Sequence, residues 1–181
     1  MQRHSFRTSI TFATAALVAS ITLAGCGDDA GDAQAAEPST ISISMRDFGY
    51  ENLPETVPAG TQITVTNASD TELHEFVVFR LADDDQREAA EIIETDVEAV
   101  LTGGPPTAVL LAPPGSDEQI PVVGDGTLTE PGRYLVLCAI PTGADPDEYL
   151  AAAATSDGPP QVDGGAPHFA HGMFAELTVT S

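Results

Sequence analysis

The chain has 181 residues, 42% of them hydrophobic, with 16 Gly and 14 Pro, which suits one domain rich in turns and poor in long helices. It contains no Lys, and only four of its six Arg lie beyond residue 7, against 28 acidic residues that all fall after residue 27. A surface of that sign excludes nucleic acid and anionic lipid as electrostatic partners, and suits a basic partner, a salty medium or plain solubility.

Residues 1–25 carry Arg3, His4 and Arg7 ahead of a mostly apolar stretch over 10–23, the parts of a secretory signal. The stretch ends in Leu23-Ala24-Gly25-Cys26, which resembles the lipobox of bacterial lipoproteins. That resemblance implies cleavage before Cys26, lipidation of its sulfur, and a hold on the membrane through acyl chains alone. Residues 26–40 open on small and acidic side chains and are expected to form a flexible tether, leaving 41–181 as the domain. The chain is thus expected outside the cytoplasm, anchored to the cell membrane. Cys138 is then left without a cysteine partner, and a lone thiol in an oxidising compartment calls for burial or a metal.

In the domain, Ile41, Ile43 and Met45 alternate with Ser42 and Ser44, which predicts a half-buried strand. A second alternating strand is expected over 62–67, a turn over 68–70, and a more fully apolar strand over 73–79. Residues 83–101 change period: Ala89, Ile92, Ile93, Val97, Val100 and Leu101 recur at three- and four-residue spacing, predicting a helix inserted between strands. Short strands are expected over 109–111 and 118–123, and a strong one over 133–138 after the turn Thr129-Glu130-Pro131-Gly132. A second helix is expected over 145–154, with Pro146 near its start, then a Gly/Pro-rich loop over 158–167 and a last strand over 173–180. Short strands punctuated by turns, interrupted by two helical insertions, predict an all-β Greek-key sandwich or barrel.

Beyond Cys26, the His, Cys and Met residues that suit a soft or borderline metal are His74 in a strand, Cys138 at a strand end, and His168, His171 and Met173 close together, with Met45 apart. Singly, each of these reads as a core or surface residue. Together they resemble a cupredoxin of the plastocyanin and azurin type. Pro131-Gly132-Arg133-Tyr134-Leu135-Val136-Leu137-Cys138 is similar to the penultimate strand of that family, where a Gly-x-Tyr leads to the ligand Cys. Pro167-His168, four residues and Met173, then Glu176-Leu177-Thr178-Val179, is similar to the family's ending, and Leu73-His74-Glu75-Phe76-Val77-Val78 resembles the strand that supplies its first His.

The resemblance implies a cupredoxin-like Greek-key sandwich binding one copper ion, with His74, Cys138 and His168 as equatorial ligands and Met173 as the axial one. His171 is a possible additional ligand. Such a set suits copper in both oxidation states, and Phe76, Phe169 and Phe174 would exclude water around it. A Cys/His set also suits tetrahedral zinc, for which a thioether is a poor ligand.

Two departures accompany the resemblance. The family separates the Cys from the second His by a few residues, whereas here a ligand loop is opened by the insertion over 142–165. The family also often ties that loop down with an Asn after the first His and a hydroxyl after the Cys. Glu75 and Ala139 stand in those places, so both ends of the brace are expected to be missing.

No nucleophile triad, phosphate loop or nucleotide fingerprint appears, and no enzyme is expected, because oxidase or reductase chemistry in the resembled fold normally needs further copper centres and one ligand set is visible here. The functions open to such a chain are a one-electron carrier with a basic redox partner, a copper carrier or buffer exchanging Cu(I) with a partner, or a metal-free interaction module.

Overall fold

Where residues alternate in polarity the backbone runs as a strand, because successive side chains leave opposite faces of an extended chain. The computed structural model describes residues 39–156 and 158–181. The leader, Cys26 and the tether up to residue 38 lie outside the described residues.

The first strand, β1 (Thr40–Arg46), buries Ile43 and Met45 and turns at Asp47-Phe48 into β2 (Gly49–Glu51). After β3 (Thr56–Pro58), β4 (Thr61–Asn67) buries every second residue and lies parallel to β1. With β8 (Thr127–Leu128) on its other side, it completes a four-stranded sheet of order β2-β1-β4-β8. The second sheet has six strands in the order β3-β10-β9-β5-β6-β7. Its members are β5 (His74–Arg80), β6 (Ala108–Ala112), β7 (Ile120–Val123), β9 (Gly132–Leu137) and β10 (Phe174–Thr180), with β3 at one edge, parallel to β10.

Ile43, Met45, Ile63 and Val65 from one sheet meet Phe76, Val78, Leu110, Tyr134, Val136 and Leu177 from the other in one core. The opposite face of the six-stranded sheet carries Val77, Phe79, Leu135 and Leu137, covered by Ala89 and Ile92 of the first insertion. A strand covered on both faces has no polar side to show, which is why β5 and β9 read as nearly continuous apolar runs.

That first insertion is two short helices instead of the single helix expected over 83–101: α1 (Ala89–Thr95) and α2 (Val97–Thr102), broken at Asp96 with φ −152°. Its acids explain the difference. The Asp85 carboxylate accepts from the backbone N–H of Arg87 at 3.1 Å and pairs with its guanidinium at 2.7 Å, while Asp96 takes the same guanidinium at 3.0 Å. Acid side chains that bind nearby backbone compete with helix, so residues 83–88 stay outside it.

The second insertion forms its helix as expected. In α3 (Pro146–Ala153) the Asp145 side chain accepts from Glu148 N–H at 2.9 Å, and Pro146 sits where no donor is needed.

Candidate metal centre

Two strand ends and one turn bring three of the predicted donors together. His74 opens β5, which lies between β6 and β9. Cys138 directly follows β9, and its N–H donates to Met173 C=O at 3.1 Å, continuing the β9–β10 ladder by one step. His168 starts a single 3₁₀ turn (His168–His171) closed by Gly172 at φ 104°, a left-handed conformation that glycine adopts freely. That turn returns onto the cysteine strand through His168 N–H to Ile140 C=O at 3.0 Å and Phe169 N–H to Cys138 C=O at 2.9 Å.

His74 Nδ1 and His168 Nδ1 are 3.1 Å apart, Cys138 Sγ is 3.3 Å from His168 Nδ1, and the three donor atoms all lie within 4.8 Å of one another. All three residues have no exposed surface. Burial lowers the His74 pKa to about 4, with neighbouring His168 next in weight and Asp47 opposing, so the ring is neutral at pH 7. Burial likewise lowers His168, against Glu72. The Cys138 thiol is pushed well up by burial and then by Glu75, so without a cation it keeps its proton.

Two neutral imidazoles aimed at each other through Nδ1, with a sulfur beside them, form a pre-arranged set of soft and borderline donors. A cation placed among them would satisfy all three and displace the thiol proton. The outward nitrogens, His74 Nε2 and His168 Nε2, are buried without a hydrogen bond. Asp47 Oδ1 stands 3.4 Å from the first and Glu72 Oε2 3.3 Å from the second, adjacent to each nitrogen though off line for a hydrogen bond. Carboxylates there favour the tautomer with the proton on Nε2, leaving both Nδ1 lone pairs for a metal.

The brace expected to be missing is present in another form. Glu75 Oε1 accepts from Ala139 N–H at 2.9 Å, so the carboxylate takes the place of the amide, and the backbone of Ala139 that of a hydroxyl. Burial raises the Glu75 pKa to about 7, with the Ala139 and Tyr149 donors opposing. Glu75 N–H also points at Cys138 Sγ, 3.5 Å away.

The opened loop closes in space as well. Thr142 N–H donates to Ala166 C=O at 3.0 Å and Gly165 N–H to Thr142 C=O at 2.8 Å, while Pro141 bridges Pro167. The insertion therefore leaves and returns at neighbouring points.

Two sheets in which β1–β4 and β3–β10 pair parallel and the other strands antiparallel, with His74 where β5 begins, Cys138 where β9 ends and His168 on the turn beside them, decide the architecture. The fold is cupredoxin-like. No protein-family profile matches the sequence, and no curated protein does. Among solved structures, the chain is similar to a dithionite-reduced auracyanin from the photosynthetic bacterium Roseiflexus castenholzii. That match has a TM-score of 0.45 and 22% identity, over 81% of this chain and 99% of that one. It is also similar to auracyanin A, a "blue" copper protein from the green thermophilic photosynthetic bacterium Chloroflexus aurantiacus, with a TM-score of 0.42 and 19% identity over 80% of this chain and 100% of that one. Auracyanin B follows with a TM-score of 0.34 and 16% identity over 81% and 92%.

Of the remaining predicted residues, Met173 is fully buried in the main core beside Cys138, its N–H donating to His168 C=O at 3.1 Å. His171 does not join the three-donor group: it is exposed, and its ring lies on Phe48 at 4.9 Å between centroids. Phe48 also meets the His168 ring edge-on at 5.4 Å, and it holds φ 61°, a region unfavourable to a bulky side chain.

Sequence reasoning missed Asp47, Phe48, Glu72 and Tyr149 and misjudged Glu75. A lone acid inside the apolar run 73–79 was the one available signal, since a buried carboxylate requires donors.

Proposed function

We propose that this chain is a one-electron carrier whose site holds a single copper through His74 Nδ1, His168 Nδ1 and Cys138 Sγ, with the Met173 thioether as a weak fourth ligand. The observation that carries the reading is the convergence of these three donor atoms within 4.8 Å at residues with no exposed surface. Copper bound there supplies a couple between two oxidation states that accept nearly the same ligand geometry.

The protein's own residues do the rest. Glu75 pins the backbone after Cys138, the carboxylates of Asp47 and Glu72 hold the proton on each outward imidazole nitrogen, and Phe48 covers the His168 edge against water. A rigid, dry donor set keeps reorganisation small when an electron enters or leaves. Delivery or buffering of copper would need an accessible, exchangeable ligand. Full burial of His74, Cys138 and His168 favours the carrier over that reading and over an enzyme.

The acidic surface fits a basic docking partner. Lipidation of Cys26 would hold the carrier at the outer face of the cell membrane. Among the described residues no helix is long and apolar enough to cross it.

The test is the visible absorption and electron paramagnetic resonance of the chain with one equivalent of Cu(II). An intense sulfur-to-copper charge-transfer band, abolished in Cys138→Ser, supports the carrier. A colourless protein that neither takes up Cu(II) nor competes for Cu(I) ends it.

A further inference from the structure

Glu75 follows a predicted ligand in the chain, is only 5% exposed, and a carboxylate so placed is stable only with donors around it. Two donors reach it. Ala139 N–H takes Oε1, and the hydroxyl of Tyr149, 74 residues away on α3, donates to Oε2 at 3.3 Å. Tyr149 is itself 3% exposed, so its hydroxyl needs this partner as much as the carboxylate needs the hydroxyl.

The insertion touches the site a second time. Gly143 N–H lies 3.2 and 3.1 Å from the two oxygens of Glu72, the acid that faces His168 Nε2. Ala144 and Tyr149 anchor the same segment in the main core. At both points the insertion grips an acid flanking His74, and through Glu75 it reaches the peptide immediately after Cys138. A filler helix would need none of these polar contacts.

We propose that the 142–165 insertion is a positioning part of the donor site, with Tyr149 acting through the Glu75 carboxylate to hold the Cys138-Ala139 backbone in place. The inference rests on the copper reading for what is being positioned, yet the geometry it predicts belongs to the metal-free chain as well.

The experiment measures amide hydrogen exchange at Ala139 in the metal-free full chain, together with paramagnetic resonance of the Cu(II)-loaded protein. Loss of one hydrogen bond to a buried acceptor predicts exchange at Ala139 about tenfold faster in Tyr149→Phe, with the β9 amides of Leu135 and Leu137 unchanged. Glu75→Leu fills the same space without an acceptor and is expected to accelerate Ala139 at least as much. Glu75→Gln keeps an acceptor oxygen and restores protection. In the loaded protein, Tyr149→Phe broadens the copper hyperfine pattern.

Exchange at Ala139 within twofold of wild type in Tyr149→Phe, or equal exchange in the Leu and Gln variants, overturns the proposal. A wild-type protein without a blue band that still shows the tenfold effect supports the positioning role and sinks only the copper reading.

Discussion

Replacing Glu72 by Gln removes a negative charge that faces one ligand ring and leaves the ring's packing intact. The Glu72 Oε2 atom is 3.3 Å from His168 Nε2, and its side chain is 17% exposed. A metal held on the opposite ring nitrogen at about 2 Å would sit about 7 Å from that charge. Coulomb's law then gives about 2.4 kcal/mol at an effective dielectric constant of about 20, and about 0.6 kcal/mol at a water-like 80. For a one-electron couple these correspond to about 100 and 25 mV. The carboxylate favours the more highly charged oxidised state, so Glu72→Gln is expected to raise the reduction potential by an amount between those limits.

Spectroelectrochemistry at fixed pH and ionic strength reads the shift. The Gln oxygen still accepts from Gly143 N–H, so the insertion stays attached. Asp47→Asn serves as the internal comparison. That carboxylate is 56% exposed and 3.4 Å from His74 Nε2, so water screens it more and a smaller rise is expected. A Glu72→Gln protein with an intact blue band and an unchanged or lowered potential would refute the electrostatic reasoning.

Gly126 has φ +87°, and an added Cβ would run into the carbonyl oxygen of Ile63, whose N–H donates to Gly126 C=O at 2.9 Å. Gly126→Ala is therefore expected to destabilise the fold by about 2–4 kcal/mol and lower the urea midpoint by about 1–2 M, and a drop under about 0.5 M would contradict the strain. Hydrogen bonds from the Arg87 guanidinium, then from its backbone N–H, hold the Asp85 pKa down to about 2. Its stabilising effect is thus present above pH 4 and lost as pH falls through about 2. The melting-temperature gap between wild type and Asp85→Asn should be widest near neutral pH and close between pH 4 and 2; a gap constant over that range would show that the pair does nothing.

What could be read from the sequence was whatever side chains announce by type and period. The alternation around Ile43 and Ile63, the unbroken apolar run before Cys138 and the Pro-His ending placed the sandwich strands and the donor set. Contacts made by backbone groups were hidden. Ala139 carries half of the Glu75 brace with its N–H alone, and no reading of residue types could reveal that. Tyr149 reaches Glu75 across 74 residues, a pairing set by how the insertion packs. Helical period over 83–101 was real at Ala89 and Ile92 but yielded to the local bonds of Asp85 and Asp96 with Arg87. Phe48 packs edge-on against His168 from a turn whose left-handed backbone leaves no mark in composition.

The donors are joined across long stretches of chain: His168 lies 94 positions after His74 and 30 positions after Cys138. Contacts of such span form after local ones, because closing a long loop costs entropy before any contact repays it. No fragment ending before residue 168 holds the trio, and His74 and Cys138 meet only once β5 and β9 have paired. The complete donor set is therefore assembled late on the folding path. Until the turn that carries His168 has docked on the strand of Cys138, the buried three-donor pocket is incomplete, so its closure coincides with completion of the fold.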